Sequence, residues 1–103
     1  MKEWTVENLK SFMEQGGSGL MYFYTPICGT CQVASKMLEV LQSLCPDVEM
    51  GKADLNYMPE WAVKLEIKSV PCLLLIKQGE IVKTTYAFHS VPYLYEMVKE
   101  HLR

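Results

Sequence analysis

The sequence predicts an α/β fold: a small mixed sheet with helices on both faces. Three observations carry this. Short apolar runs of strand length alternate with longer segments of helical period along the 103 residues. Strands separated by helices imply parallel crossovers. Near the end two strand-like runs are separated only by Gln78-Gly79, which reads as an antiparallel hairpin.

The elements follow in order. Thr5 is suited to cap a helix carrying Val6, Leu9, Phe12 and Met13 at helical spacing, up to the breaker Gly16-Gly17-Ser18-Gly19. Leu20 to Thr25 is apolar and aromatic throughout, as in a strand buried on both faces. Pro26 closes it. From about Cys28 to Cys45 the period turns helical, with Val33, Met37, Val40, Leu41 and Leu44 as its apolar stripe, and Pro46 stops it. Residues 48–55 read as a second strand with Lys52 and Asp54 on one face. Pro59 to Leu65 is a short helix carrying Trp61. Leu73 to Ile76 is another buried strand, and Ile81 to Tyr86 is its hairpin partner. Ser90 caps a last helix whose inner face carries Leu94, Met97, Val98 and Leu102. A chain of this length has room for one domain, expected over residues 1–103.

Composition excludes several classes. Half the residues are apolar, which suits a packed core and not a disordered chain. Ten Lys/Arg against twelve Asp/Glu give a net charge of -2, with no basic stripe to neutralise nucleic-acid phosphates. No segment approaches the ~20 apolar residues that span a bilayer. The opening residues, Met1 through Lys10, lack the apolar run of an export signal, so a cytoplasmic protein is expected. The four cysteines therefore do not read as the staples of a small secreted domain.

The informative segment is Thr25-Pro26-Ile27-Cys28-Gly29-Thr30-Cys31, where a buried strand hands over to a helix. Cys28 stands at the helix start, where unpaired N–H groups and the helix dipole favour an anion. Thiols in such settings titrate at about 3.5–7.5 instead of ~8.5. Cys31, one turn further along the same face, is within reach of the Cys28 sulfur. Cys28 is expected to attack, being nearer the exposed end, and Cys31 to resolve the mixed disulfide. Two other readings exist. Both cysteines could be ordinary buried side chains. They could be half of a zinc site, but Cys45, Cys72, His89 and His101 supply no second pair at ligand spacing.

At this point the chain resembles the thioredoxin family, from about residue 5 to 102. The resemblance rests on Phe23 through Cys31, on Lys52-Ala53-Asp54, on Ile67 through Glu80, and on the last helix. It implies a three-layer sandwich with a mixed four- to five-stranded sheet whose first strand is short or absent. It implies a cis proline at Pro71, and Val70 as the residue whose backbone pairs with a bound substrate chain. It further implies disulfide-containing protein substrates, a thioredoxin reductase-type electron donor, and no cofactor beyond the Cys28–Cys31 disulfide. No metal, nucleic-acid or membrane partner is expected, and a monomer is.

The departures from the family pattern are informative. The family's pair is usually preceded by Trp and encloses Gly-Pro; here Ile27 precedes, and Gly29 and Thr30 are enclosed. Thr30 has an N–H that proline lacks, so one more donor faces the sulfurs. The family's buried Asp beneath the second cysteine aligns with Tyr22, whose phenol is a poor base at neutral pH. Lys52 matches the lysine that approaches that Asp, and is expected to hydrogen-bond Tyr22 or pair with Asp54. Phe88 is read as a plug between hairpin and last helix, and Cys72 and Cys45 as structural. Ile27, Val70 and the Pro26 edge are expected to make an apolar docking surface. The remaining functional alternatives are a binding or adaptor module whose cysteines do not cycle, and a metal carrier.

Overall fold

The computed structural model describes residues 1–103. Strand β1 (Lys2–Glu3) is followed by α1 (Val6–Glu14), β2 (Gly19–Tyr24), α2 (Gly29–Leu44) and β3 (Glu49–Asp54). A 3₁₀ turn (Leu55–Tyr57) leads into α3 (Pro59–Lys64), then β4 (Cys72–Lys77), β5 (Glu80–Thr85) and α4 (Val91–Leu102). The five strands form one sheet in the order β1-β3-β2-β4-β5. β1 and β2 run parallel to β3, and β4 runs antiparallel to β2 and β5.

Local chemistry accounts for the boundaries. Thr5 and Asn8 cap α1 reciprocally: the Asn8 N–H donates to Thr5 Oγ1 at 3.1 Å and the Thr5 N–H to Asn8 Oδ1 at 3.0 Å. Ser90 Oγ accepts from the Tyr93 N–H at 3.2 Å and opens α4, with Pro92 in its first turn. Gln78 and Gly79 both have positive φ, 51° and 81°, as a two-residue hairpin turn requires. Gly79 is required there twice over, because a Cβ would also collide with the Met13 carbonyl oxygen.

The first strand is present but only two residues long, so the sheet has five strands and not four. Trp4 fixes it. Its N–H donates to the Lys52 carbonyl at 2.7 Å. Its buried indole lies against Gly51, where any Cβ would meet the ring.

The period of two divides the sheet into two cores. Leu20, Tyr22, Met50, Leu73 and Leu75 face α2 and α4. Met21, Phe23, Ala53, Cys72, Leu74 and Ile76 face the other side, with Leu9 of α1 and with Trp61 packed against them from α3. β2 and β4 are therefore covered on both faces, as their uninterrupted apolar runs predict.

The face of α2 departs from expectation. Its buried residues are Cys31, Ala34, Leu38 and Leu41, whereas Val33, Val40 and Leu44 are exposed. The stripe read from the sequence is thus rotated away from the sheet, with Leu41, and in part Met37, common to both. The reason is physical: Cys31, Ala34 and Cys45 are small side chains that count weakly in a hydrophobic pattern, yet they let the helix sit close against the sheet.

Candidate functional site

Three loops meet at one end of the sheet. β2 ends at Tyr24 and leads through Pro26 and Ile27 to α2. β4 starts at Cys72, paired with Phe23, so Pro71 stands beside the end of β2. β5 ends at Thr85, paired with Leu73, so the segment from Tyr86 to His89 emerges at the same end.

Cys28 and Cys31 are joined as a disulfide, with their Cα atoms 5.2 Å apart. Cys28 is the N-cap of α2, in the extended conformation that caps adopt, and its sulfur accepts the Cys31 N–H at 3.1 Å. Thr30 Oγ1 lies 3.3 Å from the same sulfur. The first cysteine therefore faces two donors and the start of a 16-residue helix. Cys28 is partly exposed and Cys31 buried. Gly29 is exposed and open, with nothing within 4 Å of where a Cβ would stand.

The residues expected around the pair fall in place unequally. Ile27 is 97% exposed beside Cys28, an isolated apolar side chain held out into solvent. The Val70–Pro71 peptide is cis. Pro71 lines a groove of about 340 Å³ with Thr30, Val33, Met37, Tyr86 and Phe88. Val70 is only half-exposed and leans on the α1/α3-side core. Phe88 is buried and also meets the Tyr22 ring edge-on, 5.9 Å between centroids, so it is a plug with one face on the groove.

Lys52 is a correction. It makes neither a hydrogen bond to Tyr22 nor an ion pair with Asp54; its ammonium stands 5.7 Å from the centre of the Tyr24 ring. With no buried carboxylate to attract it, the amine settles over a π face. Tyr24 in turn donates its hydroxyl to Glu3, 2.8 and 2.9 Å from the two carboxylate oxygens. Burial, then the bond to Glu3, pushes the Tyr24 phenol up to about 12.

Tyr22 is completely buried beneath α2. Its hydroxyl donates to the Cys31 carbonyl at 2.8 Å and lies 3.0 Å from Ser35 Oγ. Burial raises its pKa, with the Ser35 contact opposing, so the phenol stays neutral and is no base at neutral pH. Ser35 is a site residue that the sequence reading missed. Its signal was available: it stands four residues after Cys31, hence on the same helix face. Ser35, Lys36 and Glu39 line a second groove, of about 460 Å³, that reaches both cysteines on the side away from Pro71.

Cys72 and Cys45 are free and fully buried. Burial pushes the Cys72 thiol up to about 12, with a Tyr86 hydrogen bond opposing, so it remains an unreactive thiol at neutral pH. His89 is exposed at a left-handed φ of 55° against the Tyr93 ring, and His101 lies in the last turn of α4. Nowhere do three His, Cys, Asp or Glu side chains gather as metal ligands would.

Comparison with known proteins decides the family. The thioredoxin family model matches residues 1–100. The chain belongs to the thioredoxin family. A thioredoxin-like protein YusE from Bacillus subtilis is 54% identical over 81 residues, covering 79% of this chain and 76% of that one. Thioredoxin from the same organism is 33% identical over 96 residues, covering 90% and 92%. Among solved structures, Fasciola hepatica thioredoxin aligns with a TM-score of 0.84 at 25% identity, covering 98% of this chain and 99% of that one. The oxidised form of mitochondrial thioredoxin 3 from Saccharomyces cerevisiae gives the same score at 23% identity over 97% and 94%, a likeness of fold. Family and disulfide together make the chain a thiol–disulfide oxidoreductase. No helix is long and apolar enough to cross a membrane.

Proposed function

We propose that this chain reduces disulfides in other proteins, with Cys28 as nucleophile and Cys31 as resolving thiol. The observation that carries the reading is the asymmetry of the pair. Cys28 caps a helix, accepts an N–H and is partly exposed, whereas Cys31 is sealed against the core.

The chemistry follows from that geometry. The Cys28 thiolate, held by the Cys31 N–H and the helix dipole, attacks a substrate disulfide and releases the first substrate thiolate. The result is a mixed disulfide between Cys28 and the substrate. Cys31 then loses its proton and attacks the Cys28 sulfur. The Cys28–substrate bond breaks, and its electron pair leaves on the second substrate sulfur, which takes up a proton. Two electrons pass to the substrate and the Cys28–Cys31 disulfide closes. The dithiol is the carrier, so the cycle needs a reductase-type donor to restart and no bound cofactor.

The substrate chain docks on Ile27, on Pro71 and on the backbone of Val70, with Thr30 and Gly29 shaping the turn between. Ile27 supports this by its position, since it stands fully exposed directly beside Cys28, where a chain attacked by that sulfur would cover it. The protein acts as a monomer in the reducing cytoplasm. The test is catalytic reduction of a disulfide-bonded model protein with dithiothreitol as donor. We expect catalysis to accelerate thiol release many-fold over dithiothreitol alone. A rate equal to the uncatalysed one would favour an adaptor module instead.

A further inference from the structure

We infer that Tyr22 and Ser35 form a neutral clamp on the resolving cysteine and are positioning residues for the second half of the reaction. This rests on the roles proposed above for Cys28 and Cys31.

The clamp is built across two elements. Tyr22 comes from the central strand and is held on both sides. Its ring stacks on Tyr24, with centroids 5.7 Å apart, and meets the edge of Phe88 at 5.9 Å. So fixed, the ring aims its hydroxyl at the first turn of α2, where it donates to the Cys31 carbonyl at 2.8 Å. The same oxygen stands 3.0 Å from Ser35 Oγ. With its hydroxyl proton spent on the Cys31 carbonyl, Tyr22 accepts from Ser35. The order of donation is thus Ser35 to Tyr22 to Cys31, and every buried polar side-chain atom is satisfied.

Two properties follow. The clamp ties the backbone of Cys31 to the sheet, so the thiol that attacks the mixed disulfide starts from a fixed place. It also carries no charge. Burial holds the Tyr22 phenol protonated. The proton leaving Cys31 therefore does not pass to Tyr22, and its way out is the groove lined by Ser35, Lys36 and Glu39. The resolving step is then governed by position more than by an internal base.

The experiment measures the two half-reactions separately by stopped flow with a small disulfide-bonded protein. Tyr22→Phe removes the donor to Cys31 and keeps the ring. We expect about a fivefold slower resolution of the mixed disulfide, the worth of one hydrogen bond, with the rate of Cys28 attack unchanged. Ser35→Ala should slow the same step to a smaller degree, and Ser35→Thr, which keeps a hydroxyl, should restore it. A merely structural pair would lower thermal stability and leave the ratio of the two rates alone. Equal slowing of both steps, or none, in a folded Tyr22→Phe protein overturns the clamp. Cys31→Ser run in parallel separates the two ideas: if it accumulates no mixed disulfide, the assigned roles of the cysteines fail, whatever Tyr22→Phe does.

Discussion

Cys28→Ser is expected to abolish turnover, by at least about a thousandfold, because a serine hydroxyl stays protonated where the thiol ionises. The helix N-terminus and the Cys31 N–H stabilise a thiolate, and neither can make an alkoxide at neutral pH. Cys31→Ser is expected to act differently. Attack by Cys28 proceeds, the mixed disulfide forms, and nothing resolves it. The adduct should accumulate to a stoichiometric fraction of the enzyme and release substrate only on addition of dithiothreitol. Both outcomes are read by mass under non-reducing conditions. The reverse pattern, with Cys28→Ser trapping substrate, would exchange the two roles. It would also contradict the burial of Cys31 against the core.

The second large effect concerns the fold under the site. Leu38→Ala is expected to cost about 2–5 kcal/mol, because Leu38 has no exposed surface and its removal leaves a hole between α2 and the sheet. Against a total stability of about 5–15 kcal/mol this is a substantial share. Val40→Ala, two residues on, is expected to change stability by no more than about 0.5 kcal/mol, since Val40 is half-exposed. Chemical denaturation of both variants checks the pair. A larger loss for Val40→Ala than for Leu38→Ala would mean that α2 presents to the sheet the face read from its apolar residues, and not the one formed by Cys31, Ala34, Leu38 and Leu41.

That helix shows why part of the molecule was legible in the sequence and part was not. The strands β2 and β4 announce themselves, because a strand covered on both faces has no polar residue to interrupt it. The caps Thr5 and Ser90 and the turn at Gln78-Gly79 are chemical necessities of backbone groups and appear where predicted. The phase of α2 is different. It is set by where small residues allow close approach, and small residues leave little trace in a hydrophobic pattern. The brief first strand is likewise a tertiary product. It exists because Trp4 closes over Gly51, a contact between distant parts of the chain.

The site divides along the same line. Cys28 and Cys31 are readable because their chemistry depends on residue type and local spacing, whereas the cis Pro71 is implied only by the family resemblance. The surroundings of Tyr22 are not. A missing carboxylate is visible in the sequence, but what a phenol does in its place depends on the neighbours its hydroxyl finds. It finds Cys31 and Ser35, and Lys52 turns to Tyr24 instead.

The central claim is that Cys28 and Cys31 form a working dithiol. It is tested most directly by equilibrating the protein in graded thiol/disulfide buffers and reading its redox state by alkylation and mass. The account predicts one reversible two-electron couple confined to Cys28 and Cys31, with a potential between about -270 and -120 mV. Cys45 and Cys72 should stay unlabelled in the native protein at neutral pH, as their burial requires. The absence of a reversible couple, or a couple that involves Cys72, would contradict it.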